Sequence, residues 1–236
     1  MASAPDVGKA GGDKTALRPA ATIVLWRIGP DSAPEVLMGQ RGAAAAFMPS
    51  KHVFPGGAVD PADADVTLAH PLPALCAVRL AQNTEIAPQT LAAAAIRELW
   101  EETGLALGTP GDWCSPPPDA DHDWAGFAAR RLQPSARDMQ FIFRAITPPG
   151  RTRRFDARFF LVPATAIAGD MDDFSAASDE LSHLHWIALA QTRSLDLPFI
   201  TEVVLAEVAA HLASAPSTGV PFFDNSTDRP QFRRIA

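Results

Sequence analysis

One stretch of the sequence, residues 92–105, constrains the fold most because it reads as a helix with two incompatible faces. At about 100° per residue, one arc of this helix carries five apolar side chains: Ala92, Ala95, Ile96, Leu99 and Trp100. The opposite arc carries three glutamates: Glu98, Glu101 and Glu102. The pattern predicts a helix that packs on a core by one face and presents carboxylates on the other. Gly104 favours a left-handed end to it.

The glutamates lie three and four positions apart, so their charges repel one another by roughly 0.2–0.5 kcal/mol per pair on an isolated helix. A nearby cation would relieve this repulsion. Carboxylate oxygens are the ligands that Mg²⁺ or Mn²⁺ prefer, and no nearby Cys/His spacing indicates zinc. A plain solvated acidic face is the alternative interpretation of such a run.

The order of residues is more specific than their spacing. Residues 97–105 read R-E-L-W-E-E-T-G-L, and F-P-G-G lies upstream at residues 54–57. Together they resemble the signature of the Nudix hydrolases, G-x5-E-x7-R-E-U-x-E-E-x-G-U, in which U is aliphatic. The second half matches at every fixed position.

The first half of the signature is interrupted by about 26 residues. Counting forward from Gly57 makes Asp63 the upstream acid, whereas counting back from Arg97 makes it Gln89. Apolar residues within the interruption predict a helix-bearing insertion over about residues 62–88. Because both ends of the insertion are anchored at the site, we expect it to emerge beside the cleft, where some of its apolar residues could form a wall: Leu72, Leu75, Val78 and Leu80.

The resemblance implies a reaction and a metal site. Nudix hydrolases cleave a nucleoside diphosphate linked to another group, with the help of Mg²⁺ or Mn²⁺. It implies that Glu98, Glu101 and Glu102 are metal ligands, that Arg97 orients them, and that the carbonyl of Gly57 helps to hold the metal.

The resemblance leaves the general base open. In some relatives it lies in the signature, which indicates Glu98; in others it lies in a loop before the last strand, which offers Asp179 and Glu180. We prefer Glu98 as ligand and base, with Glu180 as the second candidate. A solvated loop position is the other interpretation of Glu180.

Substrate contacts are expected from Arg41, His52 and Phe54, which flank the glycine loop. A solvated strand end is the other interpretation of Arg41, and a structural role is the other interpretation of His52. An interrupted signature after F-M-P-x-x-H-V-F-P-G-G resembles the branch of peroxisomal coenzyme A diphosphatases and their bacterial relatives. A shorter coenzyme A signature, R-x3-G-x3-F-P-G-G, is not met, because Ala46 and Ser50 occupy its Arg and Gly positions. Coenzyme A or acyl-coenzyme A is the leading substrate, with ADP-ribose, a dinucleotide or a nucleotide sugar as alternatives. A Nudix-like sensor that binds a nucleotide without cleaving it is the alternative from another class.

Apolar and alternating runs predict strands at residues 20–26, 35–41, 139–146, 155–162 and 181–189. Helical spacing predicts further helices at residues 75–81, 125–132 and 197–213. One strong helix on each side of a mixed sheet gives an α/β/α sandwich, which is also the Nudix architecture. We expect a flexible tail over residues 1–16, a domain over 17–215, and an extended C-terminal segment over 216–236 lying on that domain.

Composition excludes several classes of protein. The net charge of −7 disfavours a nucleic-acid surface, and no apolar run approaches the length of a membrane span. The two cysteines, Cys76 and Cys114, indicate no disulfide framework and fit a reducing cytoplasm. The resemblance implies that the partner is a small nucleotide diphosphate derivative, and we expect a monomer or homodimer. An arginine cluster is expected to meet a small anion or solvent: Arg151, Arg153, Arg154 and Arg158. His183 and His185 share a predicted strand face, but we expect no metal there because no third ligand is evident.

Overall fold

The computed structural model describes residues 16–43, 48–113, 124–213, 218–227 and 229–236. The expected N-terminal tail, apart from its last residue, lies outside the described residues, as do Ala46 and Cys114. The strands are β1 Leu17–Ile28, β2 Pro34–Arg41, β3 His52–Val53, β4 Gly56–Ala58, β5 Ala106–Pro110, β6 Leu132–Pro134, β7 Gln140–Ile146, β8 Arg154–Pro163, β9 Ile167–Ala168, β10 Leu181–Ala188, β11 Val220–Asp224 and β12 Gln231–Ile235. The α-helices are α1 Ala74–Leu80, α2 Pro88–Thr103, α3 Trp124–Ala129 and α4 Phe199–Ala213, and 3-10 helices cover Pro61–Asp65, Ala164–Ala166 and Leu189–Ser194.

The main sheet has the strand order β10-β2-β1-β8-β7-β11-β12, with β3 paired to β2 and β4 paired to β1. The β1–β8 and β7–β11 pairs are parallel, whereas the remaining pairs are antiparallel. The sheet is therefore mixed, as predicted. A small separate sheet joins β6, β5 and β9.

The two long helices cover opposite faces of the main sheet. Alternation along β1 directs Ile23 and Leu25 to the face that α2 covers, and directs Val24 to the face that α4 covers. α2 is buried by Leu91, the alanines, Ile96 and Leu99, and α4 by Val204, Leu205 and Val208. This arrangement confirms the α/β/α sandwich.

The end of α2 follows the prediction as well. Gly104 adopts φ +74°, and its backbone N–H donates to the carbonyl of Trp100. A residue with a Cβ is disfavoured in this left-handed conformation. The glutamates are thereby held at the last turn of a helix whose end is fixed.

The insertion contains the predicted helix, α1, but that helix packs beside β7 and α2. Arg144 of β7 donates to the carbonyls of Gln82 and Asn83, which follow α1. Leu80 is buried, whereas Leu75 and Val78 are exposed at 57% and 61%. Leu72 and Leu80 therefore belong to the core, and the contacts of α1 with β7 and α2 give no support to an apolar wall beside the glycine loop.

The C-terminal residues also differ from the expectation of an extended tail. β11 pairs in parallel with β7, and β12 pairs with β11 at the edge of the main sheet. Phe222 and Ile235 are buried in the core. This segment therefore completes the sheet. Within the described residues, no helix has the length and apolar character that crossing a membrane requires.

Candidate active site

Arg97 is the centre of a buried ion-pair network, with a side chain 3% exposed. Its Nε and Nη2 donate to the two carboxylate oxygens of Asp63 at 2.8 and 3.0 Å, and Nη2 also donates to the carbonyl of Ala58. Its Nη1 donates to Glu98 at 2.9 Å and to Glu101 at 3.1 Å. Arg97 thus ties the helix to the glycine strand and contacts two of the glutamates.

Asp63, rather than Gln89, is the acid that meets Arg97. Asp63 ends the first turn of the 3-10 helix Pro61–Asp65, where it is 1% exposed and accepts the backbone N–H of Asp60. Gln89 lies exposed in the first turn of α2. Counting forward from the glycine loop therefore identifies the upstream acid, and the insertion follows it.

Glu98 lies directly against the glycine strand β4. An ideal Cβ at Gly57 would come within 2.4 Å of Glu98 Oε1, a distance that real Cβ contacts do not reach. A side chain at position 57 would therefore require the Glu98 carboxylate to move. The carbonyl of Gly57 as a metal ligand stays a prediction.

Glu102 is the most deeply buried of the three glutamates, at 2% exposed. One of its oxygens accepts the backbone N–H of Gly56 at 2.8 Å. Ser178, in the loop before β10, donates its backbone N–H to the carbonyl of Glu101. The glutamate face is therefore enclosed between β4 and this loop, so the alternative of a solvated acidic face does not hold for Glu102.

Burial shifts the acidity of this face. Burial, opposed by the charge of Arg97, raises the pKa of Glu98 to about 7. Burial and the charge of Glu98 raise the pKa of Glu102 well above its usual value. Arg97 therefore does not balance all the negative charge that these carboxylates would carry when ionised.

Hard oxygen donors with unbalanced charge fit a divalent cation such as Mg²⁺ or Mn²⁺. Across the described ranges, no three carboxylate, imidazole or thiol side chains are gathered so that they could hold a metal ion. The Arg97 contacts to Glu98 and Glu101 explain this arrangement, since both carboxylates face the guanidinium. Metal binding would require these side chains to turn.

The structure brings Glu180 and Arg41 to the same face. Arg41 Nη2 donates to Glu180 Oε1 at 2.8 Å, and the Glu180 side chain is 55% exposed. The charge of Glu180 contributes to the raised pKa of both Glu98 and Glu102. Glu180 is therefore near the glutamates while still open to solvent, whereas its neighbour Asp179 is simply exposed.

The two other predicted substrate residues face the α4 side of the sheet. Phe54 is 4% exposed and packs in the core with Val24 and Met38, so it has a packing role and no open surface for a substrate contact. His52 is partly buried on β3, and its ring lies 6.4 Å from that of His185. Regular alternation on a strand could not foresee this approach of the two rings.

The expected arginine cluster does not form one surface. Arg151 and Arg153 are exposed. Arg158 is 1% exposed and pairs with Asp156 at 3.0 Å, and burial lowers its pKa to about 10. The expectation that Arg158 meets solvent or an anion is therefore wrong. The alternating Arg-x-Asp-x-Arg of residues 154–158 could have indicated the ion pair with Asp156, because alternate residues of a strand share a face.

Comparison with known proteins finds similarity to Nudix proteins, although no family model matches the chain. A Caenorhabditis elegans protein named as a nudix hydrolase is 30% identical over 179 residues, which cover 72% of this chain. The chain spans about half the length of that curated relative, 51%. The crystal structure of a NUDIX hydrolase from Alicyclobacillus acidocaldarius is 29% identical, with a TM-score of 0.63 over 83% of this chain and 92% of that one.

Proposed function

We propose that this chain, which is similar to Nudix hydrolases in sequence and fold, hydrolyses the diphosphate of a nucleoside diphosphate linked to another group. The observation that carries the proposal is the buried glutamate face. Glu98 and Glu102 lie against Gly57 and Gly56, with raised pKa values that indicate a need for positive charge. The divalent cation that accompanies a diphosphate would supply this positive charge, and the diphosphate would use it to balance its own negative charge.

Glu98, Glu101 and Glu102 are the residues that would hold Mg²⁺ or Mn²⁺. When bound, such an ion neutralises charge on the diphosphate oxygens and makes a water molecule more acidic. Arg97 and Asp63 contribute by holding the helix and β4 in register, and Arg97 also contacts Glu98 and Glu101. Their contribution is positional, because Arg97 is buried and its donors are already engaged.

In the reaction, a water oxygen attacks one phosphorus and the bond from that phosphorus to the bridging oxygen breaks. The proton of the water passes to a carboxylate, and the bridging oxygen leaves on the other phosphate. Glu98 is our first candidate for the proton acceptor, since a base with a pKa near the working pH transfers protons efficiently. Glu180 is the second candidate, because it is accessible and lies near the same face.

Arg41 is proposed to bind a phosphate of the substrate. Its guanidinium is paired with Glu180, and its Nε is buried without a partner among the described residues. An arginine can grip phosphate through two parallel hydrogen bonds. If a phosphate replaced Glu180 as the partner of Arg41, the Glu180 carboxylate would be free to turn towards the attacking water.

Coenzyme A or an acyl-coenzyme A remains our leading proposal for the substrate, supported by the sequence around the glycine loop. The placement of α1 removes one supporting argument, the apolar wall. ADP-ribose, dinucleotides and nucleotide sugars therefore belong in the same test. A sensor that binds without cleaving would be expected to lack acids from the signature, and this chain has Glu98, Glu101 and Glu102.

The deciding experiment incubates the protein with Mg²⁺ or Mn²⁺ and each of four substrates, and identifies products by mass. The substrates are coenzyme A, 3′-dephospho-coenzyme A, ADP-ribose and a diadenosine polyphosphate. The Glu102→Gln variant controls for contaminating activity. Cleavage of coenzyme A to 3′,5′-ADP and 4′-phosphopantetheine with the highest kcat/KM supports the full proposal. A higher kcat/KM with ADP-ribose rejects coenzyme A alone, and binding without any cleavage supports the sensor.

A further inference from the structure

Two arginines of the main sheet each bind a carboxylate of one loop, residues 169–180, which connects β9 to β10. Arg27 Nη1 donates to Asp172 Oδ1 at 2.7 Å. Arg41 Nη2 donates to Glu180 Oε1 at 2.8 Å. The 169–180 loop is therefore held by the sheet at two places, one near its start and one at its end.

Both arginines lie on the face of the sheet that α2 covers. Arg27 comes two residues after Leu25 on β1, and Arg41 comes four residues after Leu37 on β2. Leu25 and Leu37 belong to the core on the α2 side, and alternate residues of a strand share a face. Arg27 pairs across the strands with Glu35, so Arg41 lies six residues further along β2, at roughly 20 Å.

The first of these ion pairs joins two restrained side chains. Arg27 Nε also donates to Glu35 Oε2 at 2.8 Å, and its guanidinium carbon lies 4.4 Å from the ring centroid of Trp186. Asp172 lies in a turn in which its backbone N–H donates to Oδ1 of Asp170. Because both partners are already restrained, this pair loses less side-chain entropy than most exposed ion pairs do.

Further along, the 169–180 loop lies on α2 itself. An ideal Cβ at Gly104, the residue that ends α2, would come within 2.9 Å of the Cβ of Ala176. The backbone N–H of Ser178 donates to the carbonyl of Glu101 at 3.2 Å. Glu180 follows two residues later, so the place of the loop on α2 determines where the Glu180 carboxylate stands beside the glutamates.

The length of the loop connects its two ends. Asp172 and Glu180 are eight residues apart, and eight residues span at most about 26–29 Å when fully extended. A turn shortens this stretch, because the backbone N–H of Ala177 donates to the carbonyl of Phe174. With roughly 20 Å to cover along β2, the loop has little spare length. Release of Asp172 would therefore let Glu180 move away from the glutamates.

We propose that Arg27 and Asp172 are positioning residues for Glu180, since their ion pair fixes the start of the 169–180 loop and thereby keeps the Glu180 carboxylate beside the glutamates. The inference rests on the proposed function, in which a phosphate replaces Glu180 as the partner of Arg41. Once that exchange has occurred, the Arg27–Asp172 pair and the Ser178 hydrogen bond still hold the loop on α2. Glu180 then stays within reach of the attacking water.

The first test compares Asp172→Asn with Glu35→Gln. Each variant removes one carboxylate from Arg27, but Glu35 lies on β2 and not on the loop. Hydrogen exchange of the Ser178 amide, in protein without metal or substrate, reports the place of the loop independently of turnover. Asp172→Asn should speed this exchange about fivefold, the upper end of what an exposed ion pair contributes. Glu35→Gln and the conservative Asp172→Glu should exchange like the wild type.

The second test measures steady-state kinetics on the best diphosphate substrate at saturating Mg²⁺. Asp172→Asn should lower kcat about fivefold without raising KM, because the phosphate contact of Arg41 does not involve Asp172. Glu180→Gln should also lower kcat. Asp172→Asn should lower kcat no further in the Glu180→Gln background, since a residue that acts only through Glu180 has no effect once that carboxylate is gone.

Unchanged Ser178 exchange in Asp172→Asn would overturn the proposal. An unchanged kcat in Glu180→Gln would also overturn it while hydrolysis stands, as would an equal loss of kcat on adding Asp172→Asn to Glu180→Gln. Faster Ser178 exchange in Asp172→Asn, with no cleavage of any diphosphate by the wild type, would support the placement of the loop by this ion pair while rejecting hydrolysis.

Discussion

Asp63 and Arg97 stand 34 positions apart, yet both donors on one edge of the Arg97 guanidinium meet the Asp63 carboxylate, at 2.8 and 3.0 Å. The whole insertion lies between them in sequence. The ion pair therefore closes a large loop and brings β4, the 3-10 helix Pro61–Asp65 and α2 to one place.

We predict that Asp63→Asn lowers the free energy of unfolding by about 3 kcal/mol, because it leaves a buried guanidinium short of negative charge. Urea unfolding followed by circular dichroism measures the change. Gln89→Ala, at the exposed alternative position, should unfold like the wild type. Equal midpoints for Asp63→Asn and the wild type would contradict the central role of this ion pair.

Gly57→Ala should reduce kcat/KM roughly tenfold to a hundredfold on the best substrate. The new Cβ would overlap Glu98 Oε1, and displacement of a reacting group by about 1 Å can cost that much. Steady-state kinetics at saturating metal measure the effect. Gly42→Ala is the control, since a Cβ there meets nothing within 4 Å. Similar kinetics in both variants would show that the close approach is unimportant.

Glu101→Gln and Glu102→Gln are each expected to lower kcat by about 10³, because each removes charge that supports the transition state. Glu102→Gln should at the same time raise the thermal midpoint of the metal-free protein, since it removes a buried carboxylate whose ionisation is disfavoured. Glu202→Gln, exposed on α4, serves as control. An unchanged kcat in either glutamate variant would reject the metal assignment.

The metal-free protein should lose stability as pH rises from about 5 to about 7. The folded state raises the pKa of Glu98 from 4.5 to about 7, so it holds a proton that the unfolded chain has already released, and this advantage disappears as Glu98 ionises. Mg²⁺ should therefore stabilise the protein more at pH 8 than at pH 5.5, by mass action on the ionised site.

Thermal unfolding at each pH, with EDTA or with about 5–10 mM Mg²⁺, tests this dependence. That Mg²⁺ concentration is chosen to exceed a weak dissociation constant. Glu98→Gln should flatten the metal-free pH profile between these values. A Glu98→Gln profile that keeps the wild-type slope would assign the effect to another group.

The sequence was sufficient to predict the elements whose signals are local. The helix through Glu98 and Trp100 has apolar and acidic arcs within four turns, and the strand before Gly29 has a continuous apolar run. Because α2 spans all three positions, helical spacing also puts the three glutamates on one arc of this helix. The depth of Glu102 could not be predicted, since β4 and the loop before β10 cover it.

Non-local pairing explains the errors. Asp63 and Gln89 were equivalent by counting, and only the folded insertion distinguishes them. The C-terminal strand β11 contains Pro221, which disfavours a strand prediction. Phe222 and Phe223 of β11 nevertheless pair with β7, on the side of β7 away from β8. The irregular pairing of β10 with β2 between Ser182 and His185 is a further feature that no residue pattern in β10 indicates.

The parallel pairing of β1 with β8 also sets the order in which the molecule can assemble. Leu17 pairs with Arg154 and Trp26 with Pro163, so β1 lacks one neighbour until most of the chain has left the ribosome. Contacts between such distant residues slow folding. Until β8 is available, the nascent chain exposes the unpaired edge of β1, and we expect this interval to be the one in which chaperones protect it from aggregation.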